Sequence, residues 1–258
     1  MALSEKPLVY LILGAAGSGR REVLADLIAG GLAEGDRAAV LFAESETPDD
    51  AAEKKLGPVS RWRWLDEGAI SGELPTGATP VFFVADGRRD PVGLCEVFKP
   101  WVEAQGGEIA RVICVVNCGL VEKNPPLVAW YDACVHFSDV VLRNRREGVA
   151  NKWLSDFQAR YRGQYLPCLF EFVKEGRVKN PALVLDPVAR RMTHAFDAEQ
   201  DWIFKDAEGD IIEEDEVTDD DEEEIEAIPE VDPYFIRDAA NRRAKKIPDI
   251  AKYLPEKL

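Results

Sequence analysis

A chain of 258 residues that is 46% hydrophobic can bury roughly 70–75% of the surface its unfolded form would expose, so one sizeable core with an appendage is the default organisation. Its formal charge of −16 argues against sequence-independent nucleic-acid binding through a basic face, which needs clustered cations to neutralise phosphates. The acidity is local: residues 206–230 hold fifteen acidic side chains and no basic one, which leaves the rest of the chain close to neutral.

The first element expected is a strand over residues 8–13, LVYLIL. This apolar run is too short to span a membrane and has no cleavage-like end, so it reads as a buried strand. A glycine turn follows, then a helix over residues 20–32 with Val23, Leu24, Leu27 and Ile28 at helical spacing. Further apolar runs at 38–42, 80–84, 110–116, 138–142 and 167–172 have the near-continuous hydrophobicity of strands covered on both faces. Segments 91–105, 126–135 and 149–162 read as the helices between them. Such alternation predicts an α/β fold. In SRWRWL, Trp62 and Trp64 alternate with Arg61 and Arg63, the pattern of an amphipathic edge strand with its tryptophans inward or of a base-stacking surface.

Five cysteines, Cys95, Cys114, Cys118, Cys134 and Cys168, lie mostly in apolar runs without a C-x-x-C pair. No disulfide framework and no structural zinc are expected, and a reducing cytoplasm fits. Cys114 and Cys118 with His136 do not have the spacing of a zinc site. After residue 197 the pattern changes. DWIFKDAEGDII suggests a small hairpin, and the acidic run behind it cannot bury enough apolar surface to fold alone. The expected division is a main domain over 1–200, an acidic linker over 201–230 and a helical segment over 231–258, starting near Asp232 and Pro233. A protein partner would meet the acidic tail or that last segment, and no membrane contact is expected.

The stretch LGAAGSGRRE places Gly14, Gly17, Ser18 and Gly19 between the first strand and the first helix. In G-x-x-x-x-G-K-[ST], glycines let backbone N–H groups surround phosphates, the lysine reaches the β and γ oxygens, and the hydroxyl holds Mg2+. Here Arg20 stands at the lysine position and Arg21 at the hydroxyl position. Arginine keeps the charge in a bulkier planar fork, and Arg21 cannot ligand a cation. The plain alternative is a tight turn between strand and helix.

Three later segments bear on that choice. FVADGRRDP resembles the E-T-[ST]-G-L-A-D-P segment of CobW-type GTPases, with Gly87, Asp90 and Pro91 on its G, D and P. RVICVVN resembles that family's next strand, with Asn117 for its aspartate. SDVVLRNRREG resembles its guanine-recognition strand and loop, with Asn144, Arg145 and Glu147 on the N, K and D positions. Four matches in order over residues 8–150 identify the chain as similar to the CobW-like P-loop GTPases. The resemblance implies a P-loop NTPase-like, doubly wound, mostly parallel sheet with a small C-terminal extension, and GTP or GDP as ligand. It is weaker beyond residue 172.

The departures agree with one another. The family's zinc-binding C-x-C-C is missing from residues 60–77, and its glutamate before Gly87 falls on Val84. Mg2+ would thus lose protein ligands, with Asp86 as a substitute carboxylate or merely a turn residue. Glu147 can pair with guanine only if the loop makes room for its extra methylene, and Arg145 would cover the base with its stem. A nucleotide binder or regulator with weak or lost hydrolysis is the reading chosen. An active metal-dependent GTPase or ATPase, and an interaction protein that keeps only the fold, are the alternatives. Arg20, Arg21, Arg88, Arg89, Arg143, Arg145 and Arg146 are expected to form a basic rim that the acidic tail covers, or the tail serves only to solvate.

Overall fold

A computed structural model describes residues 6–66, 68–197, 202–205, 211–212, 226–229 and 231–255. Among the described residues, twelve strands and the helices between them form two compact units, residues 1–192 with 247–258, and residues 193–246.

The first unit is built on a nine-stranded sheet. Its seven long strands, β1 (Leu8–Leu13), β2 (Ala39–Ala43), β3 (Val59–Trp64), β5 (Val81–Val84), β6 (Glu108–Asn117), β7 (Val140–Asn144) and β8 (Leu169–Lys174), lie in the order β3-β2-β5-β1-β6-β7-β8. All their pairings are parallel. Two short antiparallel strands, β4 (Ile70–Ser71) and β9 (Arg177–Val178), close the ends. Helices α1 (Arg20–Gly31), α2 (Asp50–Glu53), α3 (Pro91–Ala104), α4 (Cys118–Lys123), α5 (Leu127–His136), α6 (Asn151–Arg162) and α7 (Pro181–Leu185) fill the connections.

Alternate strand residues point to opposite faces, and both faces are covered. Tyr10, Ile12, Val40, Phe42, Phe82, Val84, Ile113 and Val115 share one cluster with Val23, Leu24 and Leu27 of α1 and Val184 and Leu185 of α7. On the other face Phe83 packs its ring 5.0 Å from those of both Phe98 and Trp101 of α3. Tyr161 of α6 donates to Asp132 of α5 at 2.9 Å. Double cover explains why strands such as VFFV carry no polar alternation. This is a doubly wound, mostly parallel α/β sheet. Trp62 is fully buried, stacked 4.7 Å from Phe83, as an inward tryptophan on β3 requires. No helix among the described residues is long and apolar enough to cross a membrane.

In the second unit, β10 (Trp202–Lys205) pairs antiparallel with β11 (Ile211–Ile212), the hairpin expected from DWIFKDAEGDII, and with β12 (Glu226–Pro229). Most of the acidic run, 206–210 and 213–225, lies outside the described residues. The helix expected from Asp232 and Pro233 is instead a turn: the Asp232 carboxylate accepts from Tyr234 N–H at 2.8 Å and its carbonyl from Phe235 N–H at 2.8 Å. Further on, Asp238 accepts from the N–H groups of Ala240 and Arg242, both at 2.9 Å. Short acidic side chains that bond nearby backbone compete with a helical ladder. Among the described residues beyond 230, a 3-10 turn at Ile250–Tyr253, in the first unit, is the one helical stretch.

Candidate functional site

Parallel pairing brings the exits of several strands side by side. Ile12 of β1 lies opposite Val84 of β5, Leu13 opposite Cys114 of β6, and Asn117 of β6 opposite Asn144 of β7. From β1 the chain first runs to one flank, β2 and β3, and later to the other, β6 to β8. Such a reversal leaves a crevice at the strand C-termini, where open α/β sheets hold ligands.

Residues 14–19 form the floor of that crevice. Gly14, Gly17 and Gly19 have φ of 137°, 79° and 89°, conformations that L side chains rarely adopt. Close packing adds a second demand at Gly14, where a Cβ would stand 2.4 Å from Val115 O, and at Gly87, where it would stand 2.4 Å from the Ala16 nitrogen. That nitrogen donates to Gly87 O at 2.9 Å, joining the loops after β1 and β5. At Gly17 a Cβ would meet nothing within 4 Å. This glycine faces open space.

Two asparagines hold the loop from behind. Asn144 Nδ2 donates to Ser18 O at 2.8 Å, and Asn117 Nδ2 to Gly17 O at 3.3 Å, while Asn117 Oδ1 caps α4 through Leu120 N–H at 3.0 Å. In a trans peptide the N–H points opposite to the carbonyl, so tying Ser18 O toward Asn144 turns the Gly19 N–H away from it. Helix α1 begins at the next residue without a side-chain cap. Its first-turn N–H groups therefore receive no capping side chain, and its positive end is suited to an anion. Ser18 is buried, and its hydroxyl has no hydrogen-bond partner.

The two arginines are not held out to solvent. Arg20 is 5% exposed; its Nη1 donates to Ala85 O at 2.5 Å and its Nη2 pairs with Glu46. Arg21 donates to Thr47 O at 2.9 Å, pairs with Glu53 at 3.2 Å and reaches Glu46 at 3.6 Å. Arg61 meets Glu53 at 2.6 Å, and the guanidiniums of Arg21 and Arg61 lie 4.5 and 5.3 Å from the Phe42 ring centre. Burial works to raise the Glu53 pKa, but the hydrogen bonds from Arg61 and from Asp49 N–H, with the charges of Arg61 and Arg21, outweigh it and hold the carboxyl below its usual range.

Above the loop lies a cavity of about 650 Å3, within the range of small-molecule sites. Its walls are Ala16, Gly17 and Gly19, the start of α1, residues 45–47 after β2, one side of α2, and Arg88, Arg145 and Pro255. Five basic side chains, Arg20, Arg21, Lys55, Arg88 and Arg145, face three acidic ones, Glu22, Glu46 and Asp49. The balance favours an anion.

The sequence-predicted residues divide. Gly17, Gly19, Arg20, Arg21 and Arg145 line the cavity; Gly14, Ser18, Gly87 and Asn144 support its floor. Arg145, at φ 50°, pairs with Glu22 at 2.7 Å. Glu147 is exposed and is not part of the lining. Asp86 accepts from Ser45 Oγ at 2.8 Å and Arg88 N–H at 3.0 Å, pairs with Arg89 at 3.4 Å, and faces a smaller void of about 230 Å3 beside Trp64. The expected basic rim is narrower than seven arginines. Arg143 and Arg146 turn to Phe172, 3.7 and 4.4 Å from its ring centre, because that exposed aromatic offers a face for both guanidiniums.

The two positions expected to hold Mg2+ are already engaged. Arg21 fills the hydroxyl position with a paired cation, Asp86 is engaged by Ser45 and Arg89, and no group of three or more His, Cys, Asp or Glu among the described residues could hold a metal ion. All five cysteines are buried thiols, and burial pushes Cys118 and Cys168 up to about 12.

Sequence reasoning missed Ser45, Glu46, Lys55 and the structural part of Asn117. Nothing in ESETPDDAAEKK separates Glu46 from solvated acids around it. Asn117 was visible as a departure from an aspartate, which hinted at a changed role. No protein-family model and no curated protein matches the chain. The solved structures similar to it include the Zn(II)-bound YjiA GTPase from E. coli and a Zn(II)-bound triple mutant of YjiA GTPase, each at 13% identity and a TM-score of 0.41, with 79% of this chain and 72% of the other covered.

Proposed function

We propose that the cavity binds a nucleoside phosphate, GTP or GDP in preference to ATP, with weak or absent hydrolysis, and that the protein acts as a binder or regulator. The observation that carries this reading is the uncapped start of α1 behind a left-handed glycine loop whose carbonyls are tied back by Asn117 and Asn144. That geometry leaves backbone donors for phosphate oxygens, as nests of successive N–H groups do. The chain's similarity to CobW-like motifs at Asn144 and Arg145 supports a guanine on the far side. Phosphoryl transfer depends on positioning and charge stabilisation, and here Arg21 replaces the metal-holding hydroxyl. The acidic residues 206–230 would meet a protein partner.

A second reading, a retained fold without nucleotide, is favoured by one fact: Arg20 is already satisfied by Glu46 and Ala85. Calorimetric titration of the full chain with GDP, GTP and ATP separates the two. Guanine nucleotides should bind, and at a hundredfold excess over Kd should stabilise the fold by about 2.7 kcal/mol. Phosphate release from GTP should not exceed the buffer blank. Absence of binding by all three supports the second reading.

A further inference from the structure

We infer that Glu46 makes this a nucleoside diphosphate site that discriminates against triphosphates. The inference rests on the nucleotide reading and specifies it. In a glycine loop of this kind the backbone N–H groups serve the α and β phosphates, and the cation at the Arg20 position serves the β and γ oxygens. The N–H groups of Ala16 and Ser18 are engaged by Gly87 O at 2.9 Å and Ala15 O at 3.1 Å, which leaves those of Gly17, Gly19 and the start of α1 for a ligand, but the cation is spoken for. Arg20 Nη2 pairs with Glu46, its Nη1 donates to Ala85 O at 2.5 Å, and it is 5% exposed.

Nor can Arg20 readily swing toward a ligand. A Cβ on Gly87 would stand 2.7 Å from its Nη2, so the guanidinium is packed against the loop after β5. Arg21, the adjacent cation, is held by Glu53, Thr47 O and the same Glu46. A single carboxylate, 9% exposed and lining the cavity, thus occupies the anion position shared by both arginines. A third phosphate would meet Glu46 in place of a free cation, and like charges in a part-buried site repel. Of the remaining cations, Arg145 pairs with Glu22, Arg88 donates to Pro255 O, and Lys55 is exposed, where solvent screens it. A diphosphate asks only for the donors that are open.

The test is titration calorimetry of the full chain with GDP and GTP in excess Mg2+, on wild type, Glu46→Gln and Glu46→Asp. Wild type should bind GDP about tenfold more tightly than GTP. Glu46→Gln keeps an acceptor for Arg20 without the charge, and should bring the two affinities to within about threefold by strengthening GTP. Glu46→Asp, which keeps the charge, should retain the preference. Equal wild-type affinities, which need no variant to measure, overturn the inference and leave the nucleotide reading standing. So does a preference that Glu46→Gln leaves unchanged. Binding of neither nucleotide by wild type or variants overturns the nucleotide reading, and this inference with it.

Discussion

The two ends of the central sheet use the same side-chain chemistry to opposite effect. Toward the strand N-termini, Arg111 is fully buried and donates to Val188 O at 2.8 Å and Leu183 O at 2.7 Å. Asp139, also fully buried, accepts from the N–H groups of Val112 at 2.7 Å and Arg190 at 2.5 Å and pairs with Arg191 at 3.3 Å. Tyr10, pushed up to about 12 by burial, donates to Leu185 O at 2.5 Å. These bonds strap residues 183–191 across the strand starts. At the C-terminal ends, arginines and carboxylates pair around a void of about 650 Å3 whose floor is backbone. A closed network holds the fold, whereas an open one with an uncapped helix keeps something in reserve for a ligand.

The largest effect that would sharpen this contrast is at the closed end. Asp139→Ala leaves a buried Arg191 and two backbone N–H groups without their acceptor and should cost about 3–5 kcal/mol. Urea unfolding would measure it, and the order of nucleotide affinities in the folded fraction should not change. Loss of under about 1 kcal/mol would mean that the network is not the structural clamp described here.

Next come two glycines of the open end. Gly14→Ala forces a Cβ against Val115 O and should cost about 2–3 kcal/mol of stability from clash and backbone strain. Gly17→Ala has room for its methyl but sits at φ 79° in the cavity floor, so its stability cost should be about 1 kcal/mol while ligand affinity falls about tenfold or more. Thermal melts and titrations on both variants check this. The distinction between support and floor breaks if Gly14→Ala is the one that loses binding at unchanged stability.

A smaller effect concerns acid. The folded-state pKa of Glu53 lies below its usual value, so its contribution is present above the ordinary carboxylate range, about 4.3, and is lost as pH falls through the folded value. Wild type should therefore be more stable than Glu53→Gln near neutral pH, and melting temperatures should converge below about pH 4. A gap that widens in acid would contradict the sign. Smallest of all, the raised thiols of Cys118 and Cys168 predict slow alkylation of native protein at neutral pH and full labelling once it is denatured.

Much of the fold was legible because the sheet is covered on both faces. Runs such as LVYLIL and VFFV have no polar alternation, and β1 begins and ends where that run does. Helix α3 could be placed from Asp90 and Pro91, and Asp90 does cap it through Val92 N–H at 2.9 Å. Short elements escaped notice: β4 and β9 have two residues each and α7 has five, too few to show a period. The turn at Asp232 misled for a related reason, since a side-chain acceptor before proline suits a turn as well as a helix start.

The candidate site was half legible. Glycine positions after a strand depend on local backbone geometry, and Gly14, Gly17 and Gly19 all take positive φ as the motif requires. Which arginine is free and which is engaged depends on carboxylates far away in the chain, and Arg20 and Glu46 are separated by 26 residues. Hydrophobic patterning, glycine placement and charge segregation are short-range properties, and from them follow the α/β class, the strand and helix succession and the loop at the first strand's end. Strand order, the capture of Arg20 and Arg21 by Glu46 and Glu53, the turning of Arg143 and Arg146 onto Phe172, and the asparagines behind the loop needed the folded chain. Charge pairing is decided by which side chains the sheet register brings within a few ångströms, and a linear pattern carries no record of that distance.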